Sequence, residues 1–394
     1  MYIRDREGLV ELASKIRGAT LLAVDTEFMR EKTYFARLCL IQVATDDVAA
    51  VIDPLVLTDL APLFDIFLEP SITKVFHAGS QDLEILCRMM RTPPSPVFDT
   101  QVAATLAGQP TQVGYQQLIS SLLGVHLGKA HTFTDWSARP LSEEQVEYAL
   151  DDVRYLPAAY RMLHDRLAAE GRLGWLAEDF ERMADPATYE VVPEEQYRRV
   201  KRASSLDRRS LAVLREVAAW RERAAQTKDI PRRWLLSDES LLEIARRAPQ
   251  DARALASIRG VSEQVARKNA DEIAAAVKRG LEAPESDWPR LPKRKRLEGD
   301  VNDVADLMSA LVRIRAKEHG VAPTLLATRD DLERFAGGDR EGSPLTVGWR
   351  HTLIGAELEA LLDGAISLRV DRGSVLVEND GGMSDRGVTM AGTE

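Results

Sequence analysis

The sequence predicts a mixed α/β sheet with flanking helices, followed by all-helical modules. Short apolar runs alternate with helical patterns up to about residue 165, and strand patterns nearly vanish after about residue 170. From there on, apolar residues recur at helical spacing. A chain of 394 residues is also long for one hydrophobic core, so two or three domains are expected.

The first part opens with MYIRDREGLVELASKI, which indicates a short strand and an amphipathic helix and not a signal peptide. LLAVDTEF, LCLIQVAT and VAAVID then predict a meander of three strands. Residues 60–68 have a helical pattern, and TKVFHA is a further buried strand. A helix from Gln81 to about Arg91 ends at the proline-rich stretch 92–96. Val97 to Asp99 form a short strand, and the last helix of this part runs from Glu143 to about Leu167.

The second part is an all-helical module over residues 205–282. Its first helix has apolar residues at helical spacing, namely Leu206, Leu211, Leu214, Val217 and Trp220. Ser237 is the predicted N-cap of SDESLLEIARR, with Ser240 as the alternative, and Ser262 caps the last helix. The predicted divisions are a first domain (1–170), a helical connector (171–204), the helical module (205–282), a basic proline-containing linker (283–299), a less regular helical module (300–368) and a disordered tail (379–394).

Charge is distributed unevenly along the chain. The net charge is −10, yet residues 198–282 hold 20 basic and 12 acidic residues, while residues 1–160 hold 13 basic and 21 acidic ones. The basic segment suits a polyanionic partner, although a solvated helical face would have the same composition. No stretch approaches the roughly 20 apolar residues of a membrane span.

The two cysteines, Cys39 and Cys87, both lie in apolar runs. They are too few for a disulfide framework, and they make a zinc site improbable. We therefore expect buried free thiols in a reducing cytoplasm.

Four carboxylates of the first part lie where metal ligands are expected. Asp25 and Glu27 are at i and i+2, so both point to one face of a strand. Asp82 follows a strand in the first turn of a helix, and Asp152 shares a helical face with Tyr148 at i, i+4. Buried carboxylates are costly unless they are compensated, and a pair of divalent cations would compensate them. Each motif alone is common in surface turns and salt bridges, but the ordered set is much more specific.

The surrounding residues carry a family resemblance. DTEF, HAGSQDLEIL and YALDDVRYL resemble the three motifs of the DEDD exonuclease superfamily in its tyrosine-containing branch. DTEFMREKTYFARLCLIQ, FDTQVAA and DWSARPLSEEQVEYALDDVRYL are similar to the bacterial ribonuclease D family, and residues 205–282 resemble an HRDC nucleic-acid-binding domain. The resemblance implies a ribonuclease H-like exonuclease domain followed by two all-α HRDC-type modules.

By this resemblance, Asp25, Glu27, Asp82 and Asp152 bind two divalent ions, and Tyr148 is the catalytic tyrosine. Oxygen ligands suit Mg²⁺ or Mn²⁺. A phenol with an ordinary pKa of about 10 is a poor base at neutral pH, so we expect Tyr148 to orient the attacking water. Its alternative role is to pack its helix on the sheet. Asp151 is rotated away, and it is expected to be solvated or paired with Arg154.

Substrate contacts are predicted at positions where packing is also possible. Thr26, Phe28 and Met29 border the first carboxylates, and Phe28 is suited to stacking on a base. His77 is expected either to contact substrate or to complete a strand end. The remaining predicted contacts, with the phosphate backbone, are Lys129, Trp136 and Arg139, of which Trp136 equally suits a packing role.

The predicted activity is 3′–5′ removal of nucleotides from RNA with a free single-stranded 3′ end, releasing nucleoside 5′-monophosphates. The resemblance implies precursor tRNA as the substrate, and nothing in the sequence indicates an obligate protein partner. The alternatives are a 3′–5′ DNA exonuclease acting in repair, a metal-dependent endonuclease and a non-catalytic HRDC scaffold. The scaffold would be expected to lack part of the carboxylate set, which is complete here.

Overall fold

The computed structural model describes residues 1–128, 134–290 and 301–379. Within it, residues 1–170 are called the first module, 205–282 the second and 301–379 the third. Lys129, much of the predicted linker and residues 380–394 of the predicted tail lie outside the described residues. Among the described residues, no helix has the length and apolar character needed to cross a membrane.

A six-stranded sheet of order β1-β4-β3-β2-β5-β6 forms the centre of the first module. Its strands are β1 (Tyr2–Ile3), β2 (Leu21–Met29), β3 (Arg37–Ala44), β4 (Ala49–Ile52), β5 (Thr73–Phe76) and β6 (Val97–Asp99). The predicted meander is confirmed, because β2, β3 and β4 pair antiparallel in sequence. The other pairs, β1 with β4, β2 with β5 and β5 with β6, are parallel.

Strand β2 is only half covered on one side. β5 runs beside its first three paired residues, from Leu21 to Ala23, and then ends at Phe76. The later residues of β2 therefore face the place where the next helix begins. This half-open strand carries Asp25 and Glu27.

Helices cover the sheet and continue into the connector. They are α1 (Arg6–Ile16), α2 (Ala61–Phe67), α3 (Ser80–Met90), α4 (Thr100–Leu106), α5 (Tyr115–Leu123), α6 (Glu143–Arg154), α7 (Leu156–Ala169) and α8 (Ala177–Met183). The sequence predicted one helix from Glu143 to about Leu167, but the structure divides it at Tyr155. Pro157 lies in the first turn of α7, where its missing N–H costs nothing; inside a continuous helix it would break the hydrogen-bond ladder.

The connector and the second module are helical. Short 3₁₀ helices at Leu173–Leu176, Pro186–Tyr189, Pro193–Arg199 and Ala203–Ser205 lead into α9 (Arg208–Lys228), α10 (Arg232–Leu235), α11 (Asp238–Arg247), α12 (Ala252–Ala256) and α13 (Glu263–Glu282). Ser237 and Ser262 cap α11 and α13 as predicted, since their side chains accept hydrogen bonds from the amides of Ser240 and Val265.

The third module contains helices and one hairpin. After the 3₁₀ helix Glu285–Asp287 come α14 (Val301–Glu318), α15 (Pro323–Leu326), α16 (Arg329–Ala336), α17 (Gly348–Arg350), the π-helical turn His351–Gly355, α18 (Ala356–Leu362), β7 (Ile366–Asp371) and β8 (Ser374–Asn379). The sequence did not predict the hairpin β7–β8, which extends past residue 368. Its two-residue turn places Arg372 and Gly373 at positive φ, and Arg-Gly lacks the Asn or Asp that marks most such turns.

The second module contacts the first module, and the third contacts the connector that follows the first. The amides of Tyr34 and Phe35, in the loop after β2, donate to Asp229 Oδ1 at 3.1 and 3.0 Å. The third module contacts the connector through Trp175 and Trp349, whose rings stack with centroids 5.1 Å apart. The second module therefore binds the loop next to the strand that carries Asp25 and Glu27.

Candidate active site

The site is built on the open half of β2. Asp25 and Glu27 point to the same face of the strand, opposite Gln42 and Leu40 of β3. A bulge shifts the register between Glu27 and Phe28, directly after the second carboxylate. Both carboxylates are partly buried.

Asp82 approaches this strand from the first turn of α3. It is 7% exposed, and its Oδ1 accepts a hydrogen bond from the Thr26 hydroxyl. Thr26 is itself 5% exposed, and its hydroxyl supports Asp82. The substrate contact predicted for Thr26 stays a prediction.

Helix α6 brings Tyr148 and Asp152 onto the same side of the sheet. It packs across β2, β3 and β4. The ring of Trp136 stacks on Tyr148 with centroids 6.1 Å apart, and Trp136 is only 5% exposed. Of the two roles considered for Trp136, the structure supports packing, because so little of the side chain can be reached by a ligand.

The turn around Asp152 is held by two further bonds. The hydroxyl of Tyr115 donates to the Asp151 carbonyl at 2.8 Å. The Asp151 carboxylate accepts from Arg154 at 2.6 Å, as one of the two sequence alternatives expected. Asp151 is thus directed away from the carboxylates that share the site.

Burial raises the pKa of all four carboxyl groups, and the charges of neighbouring carboxylates add to the effect. Burial, followed by the charges of Asp82, Asp152 and Glu27, holds the pKa of Asp25 well above its usual range. Burial and the charges of Asp152 and Asp82 raise the pKa of Glu27 to about 8.

For the other two groups, burial is again the main cause. It raises the pKa of Asp82 to about 6, against the opposing hydrogen bond from Thr26, and that of Asp152 to about 7. The four carboxyl groups therefore repel further negative charge and favour binding of protons or cations.

A buried amide side chain lies beside this cluster. Gln42, paired with Asp25 across the strands, is fully buried, and within the described structure its side-chain amide has no hydrogen-bond partner. In the same described ranges, no three His, Cys, Asp or Glu side chains already stand in the arrangement of a closed metal site. The carboxylates are close enough to shift one another's pKa values, but they are not gathered around one point.

Tyr148 and Asp152 also line a cavity of about 590 Å³. The opposite wall comes from residues 114–117 at the start of α5, with Ser120, His126 and Leu127. Burial and the charges of Asp152, Glu27 and Asp25 raise the pKa of Tyr148 to about 12, so its hydroxyl stays protonated at neutral pH. The cavity thus offers a hydrogen-bond donor beside the carboxylates.

Two other predicted substrate contacts are engaged with the protein. The His77 ring nitrogens lie 2.9 Å from Thr100 Oγ1 and 3.0 Å from the Val113 carbonyl. The carbonyl can only accept, so Nε2 carries a hydrogen, and burial lowers the pKa of the ring, which favours its neutral form. His77 therefore completes the end of β5, the second of the two roles considered.

Arg139 is held by an internal carboxylate. Its Nε and Nη2 bind Asp53 at 2.6 and 2.8 Å, and its guanidinium also donates to the carbonyls of Cys39, Trp136 and Ala138. Arg139 therefore forms an internal ion pair in this structure, and its phosphate contact stays a prediction. Phe28 and Met29 are partly buried against different apolar clusters, and Lys129 lies outside the described residues.

Sequence reasoning missed three residues that shape the site: Asp99, Tyr115 and Gln42. Tyr115 and Gln42 give no readable signal, because their roles depend on contacts across distant segments. Asp99 does give one, since an Asp at the end of a strand and immediately before a helix is a typical N-cap.

This chain is similar to known proteins over most of its length. Residues 1–168 match the family model of the 3′–5′ exonuclease, and residues 210–277 match the HRDC domain. The chain is 45% identical to ribonuclease D of Gluconacetobacter diazotrophicus, over 94% of this chain and 95% of the relative, and 43% identical to that of Granulibacter bethesdensis, over 94% of each. The crystal structure of Escherichia coli RNase D, described as an exoribonuclease involved in structured RNA processing, superposes with a TM-score of 0.81 at 32% identity, covering 92% of this chain and 98% of that one.

Proposed function

This chain belongs to the ribonuclease D family of 3′–5′ exoribonucleases, and we propose that Asp25, Glu27, Asp82 and Asp152 are its metal ligands. The observation that carries the proposal is that β2, α3 and α6 bring four carboxyl groups near enough together for burial and neighbouring charges to raise the pKa of each, with Asp152 at the wall of the cavity. Such a cluster is unfavourable unless cations compensate it.

The donor set fits hard divalent cations. Exonucleases of this family depend on divalent metal ions, and carboxylate oxygens are the ligands that Mg²⁺ and Mn²⁺ prefer. We propose two ions at this site. Gathering the ligands requires side-chain rotation, but Asp82 can offer Oδ2 to a cation while its Oδ1 keeps the hydrogen bond from Thr26. The chemistry that two bound ions supply is activation of a water molecule and stabilisation of the leaving 3′-oxygen.

The protein's own residues orient the reactants. The protonated hydroxyl of Tyr148 donates a hydrogen bond to the attacking water, because a group with a pKa of about 12 does not act as a base at neutral pH. Trp136 keeps the Tyr148 ring in place by stacking on it. In this proposal the cavity beside Asp152 receives the terminal nucleotide, and Phe28 and Met29 on β2 stay proposed contacts.

The substrate we propose is RNA with a free single-stranded 3′ end, and specifically precursor tRNA. The HRDC module carries the basic excess of the chain and lies against the loop after β2, and both observations support a role in holding the body of a polyanion near the site. We also propose a cytoplasmic location, where the buried free thiols of Cys39 and Cys87 remain reduced.

A time course on a 3′-tailed tRNA tests the proposal. With Mg²⁺ or Mn²⁺ we expect a ladder that shortens from the 3′ end and nucleoside 5′-monophosphates as products, and EDTA should stop the reaction. Asp152→Asn should abolish cleavage, whereas the matched variant Asp151→Asn, whose side chain binds Arg154, should retain most of it. Cleavage by Asp152→Asn at the wild-type rate would contradict the metal-ligand assignment. Cleavage that persists with a blocked 3′ end would contradict the exonucleolytic direction.

A further inference from the structure

Asp99 lies at the end of β6, next to the loop that leads into α3. It is 1% exposed, and its carboxylate accepts hydrogen bonds from backbone amides of two segments. Oδ1 accepts from Gln101 and Val102, at 2.8 and 3.2 Å, which is an ordinary cap of α4. The same carboxylate accepts from Ala78 at 3.2 Å and, through Oδ2, from Gly79 at 2.8 Å.

The last two bonds hold a loop whose backbone conformation is restricted at both residues. Ala78 has a φ of 55°, a left-handed conformation that is unfavourable for alanine. A Cβ on Gly79 would lie 2.5 Å from the Cβ of Phe76, so the chain passes close to the end of β5 at this residue. Helix α3 begins one residue later, and Asp82 lies in its first turn. The path of this loop therefore decides where the Asp82 carboxylate is presented.

We propose that Asp99 is a positioning residue for Asp82. Its carboxylate holds the amides of residues 78 and 79, and this sets the start of α3 so that Asp82 faces Thr26 and Asp25 on β2. The inference rests on the proposed function, because it assigns Asp82 to the metal ligands. Residues of this kind, which orient ligands without touching the metal, affect metal affinity by about 10–100-fold when they are replaced.

The variant Asp99→Asn separates this role from helix capping. The amide oxygen of Asn can still accept from residues 101 and 102 and cap α4. The same oxygen can still accept from Ala78, but the NH₂ group cannot accept from Gly79, so two donors would face each other and the shorter of the two loop bonds would be lost. Asp5→Asn is the matched control, since Asp5 caps α1 of the same module through Gly8, at 2.8 Å, away from the site.

The test is Mn²⁺ binding to the full chain, measured by titration calorimetry in the wild-type and Asp82→Asn backgrounds. We expect Asp99→Asn to weaken Mn²⁺ binding about 10–100-fold when Asp82 is present and to have little effect when Asp82 is absent. Asp5→Asn should not change the affinity. The double-mutant comparison is needed because the lost charge of Asp99 acts on the ion in both backgrounds, whereas positioning acts only through Asp82.

The possible outcomes separate the two hypotheses. Equal weakening by Asp99→Asn in both backgrounds, or none in either, would overturn the positioning role. An unchanged Mn²⁺ affinity in Asp82→Asn alone would instead overturn the proposed ligand set. If Asp99→Asn does not fold, Asp99→Ser serves in the same cycle, because it keeps a capping oxygen but is too short to anchor the loop.

Discussion

Replacing Glu27 by Gln should stabilise the metal-free protein, although it removes a proposed metal ligand. Burial and the charges of Asp152 and Asp82 raise the pKa of Glu27 from 4.5 to about 8. The folded state therefore binds this proton more tightly than the unfolded state. The protonated Glu27 therefore contributes its full stabilisation to the fold below pH 4.5, and this contribution is lost as the pH rises towards 8.

The magnitude follows from the pKa difference. A pH of 7 lies about 2.5 units above the pKa of Glu27 in the unfolded chain, where the group is ionised. At 1.36 kcal/mol per unit, this difference corresponds to about 3 kcal/mol of lost stability. At pH 5 the same calculation leaves about 1 kcal/mol or less. In EDTA, Glu27→Gln should therefore exceed the wild type in stability by about 3 kcal/mol at pH 7 and by much less at pH 5.

Native-state hydrogen exchange of the β2 and β3 amides measures this difference within the sheet, separately from the helical modules. Glu31→Gln, an exposed change on the following loop, is the control and should show no such pH dependence. Saturating Mn²⁺ should reverse the order, because the wild type gains binding free energy that the variant partly lacks. A variant that is less stable than the wild type in EDTA, or a difference that is equal at pH 5 and pH 7, would refute the charge-repulsion explanation.

Three further variants test individual contacts. Tyr148→Phe should lower the single-turnover rate by about 10²–10⁴-fold with Mn²⁺ affinity unchanged, and an unaltered rate would exclude Tyr148 from catalysis. Arg139→Ala leaves Asp53 buried without its cation, so we expect a loss of about 3–5 kcal/mol in unfolding free energy and an unchanged KM for RNA. A raised KM at normal stability would instead support the phosphate contact. Tyr34→Phe removes the hydroxyl that donates to the fully buried Glu222. Hydrogen exchange of the α9 amides should show that their local stability falls by about 1–3 kcal/mol. Unchanged protection would show that this contact does not stabilise the packing of the loop after β2 on α9.

Local patterns predicted much of the fold. The strands of the meander have dense apolar runs, and Ser237 and Ser262 precede helical patterns as capping residues do, so both could be read from neighbouring residues. The division at Tyr155 was missed because the helical pattern continues across it. The hairpin β7–β8 was missed because its strands are largely exposed, with Val370 71% exposed, and its turn lacks the usual residues.

The carboxylates of the candidate site could also be predicted from local patterns. The acidic residues sit next to apolar strand or helix patterns, and their spacing places each on a defined face of its own element. His77, Trp136 and Arg139 could not be assigned from the sequence, because a polar or aromatic residue near a site looks the same whether its partner is substrate or protein. Their partners, such as Val113, lie on other segments of the chain.

The sequence by itself determined the elements, the order of the modules and the set of carboxylates, because these depend on residue type and short-range spacing. Only the tertiary structure decided which groups face one another: Asp82 against Thr26, Arg139 against Asp53, and Asp99 against the loop before α3. Burial and the charges of neighbouring carboxylates, which raise the pKa values of the cluster, also arise only when β2, α3 and α6 come together. Contacts between distant segments are set by packing of the whole module, and local sequence does not encode them individually.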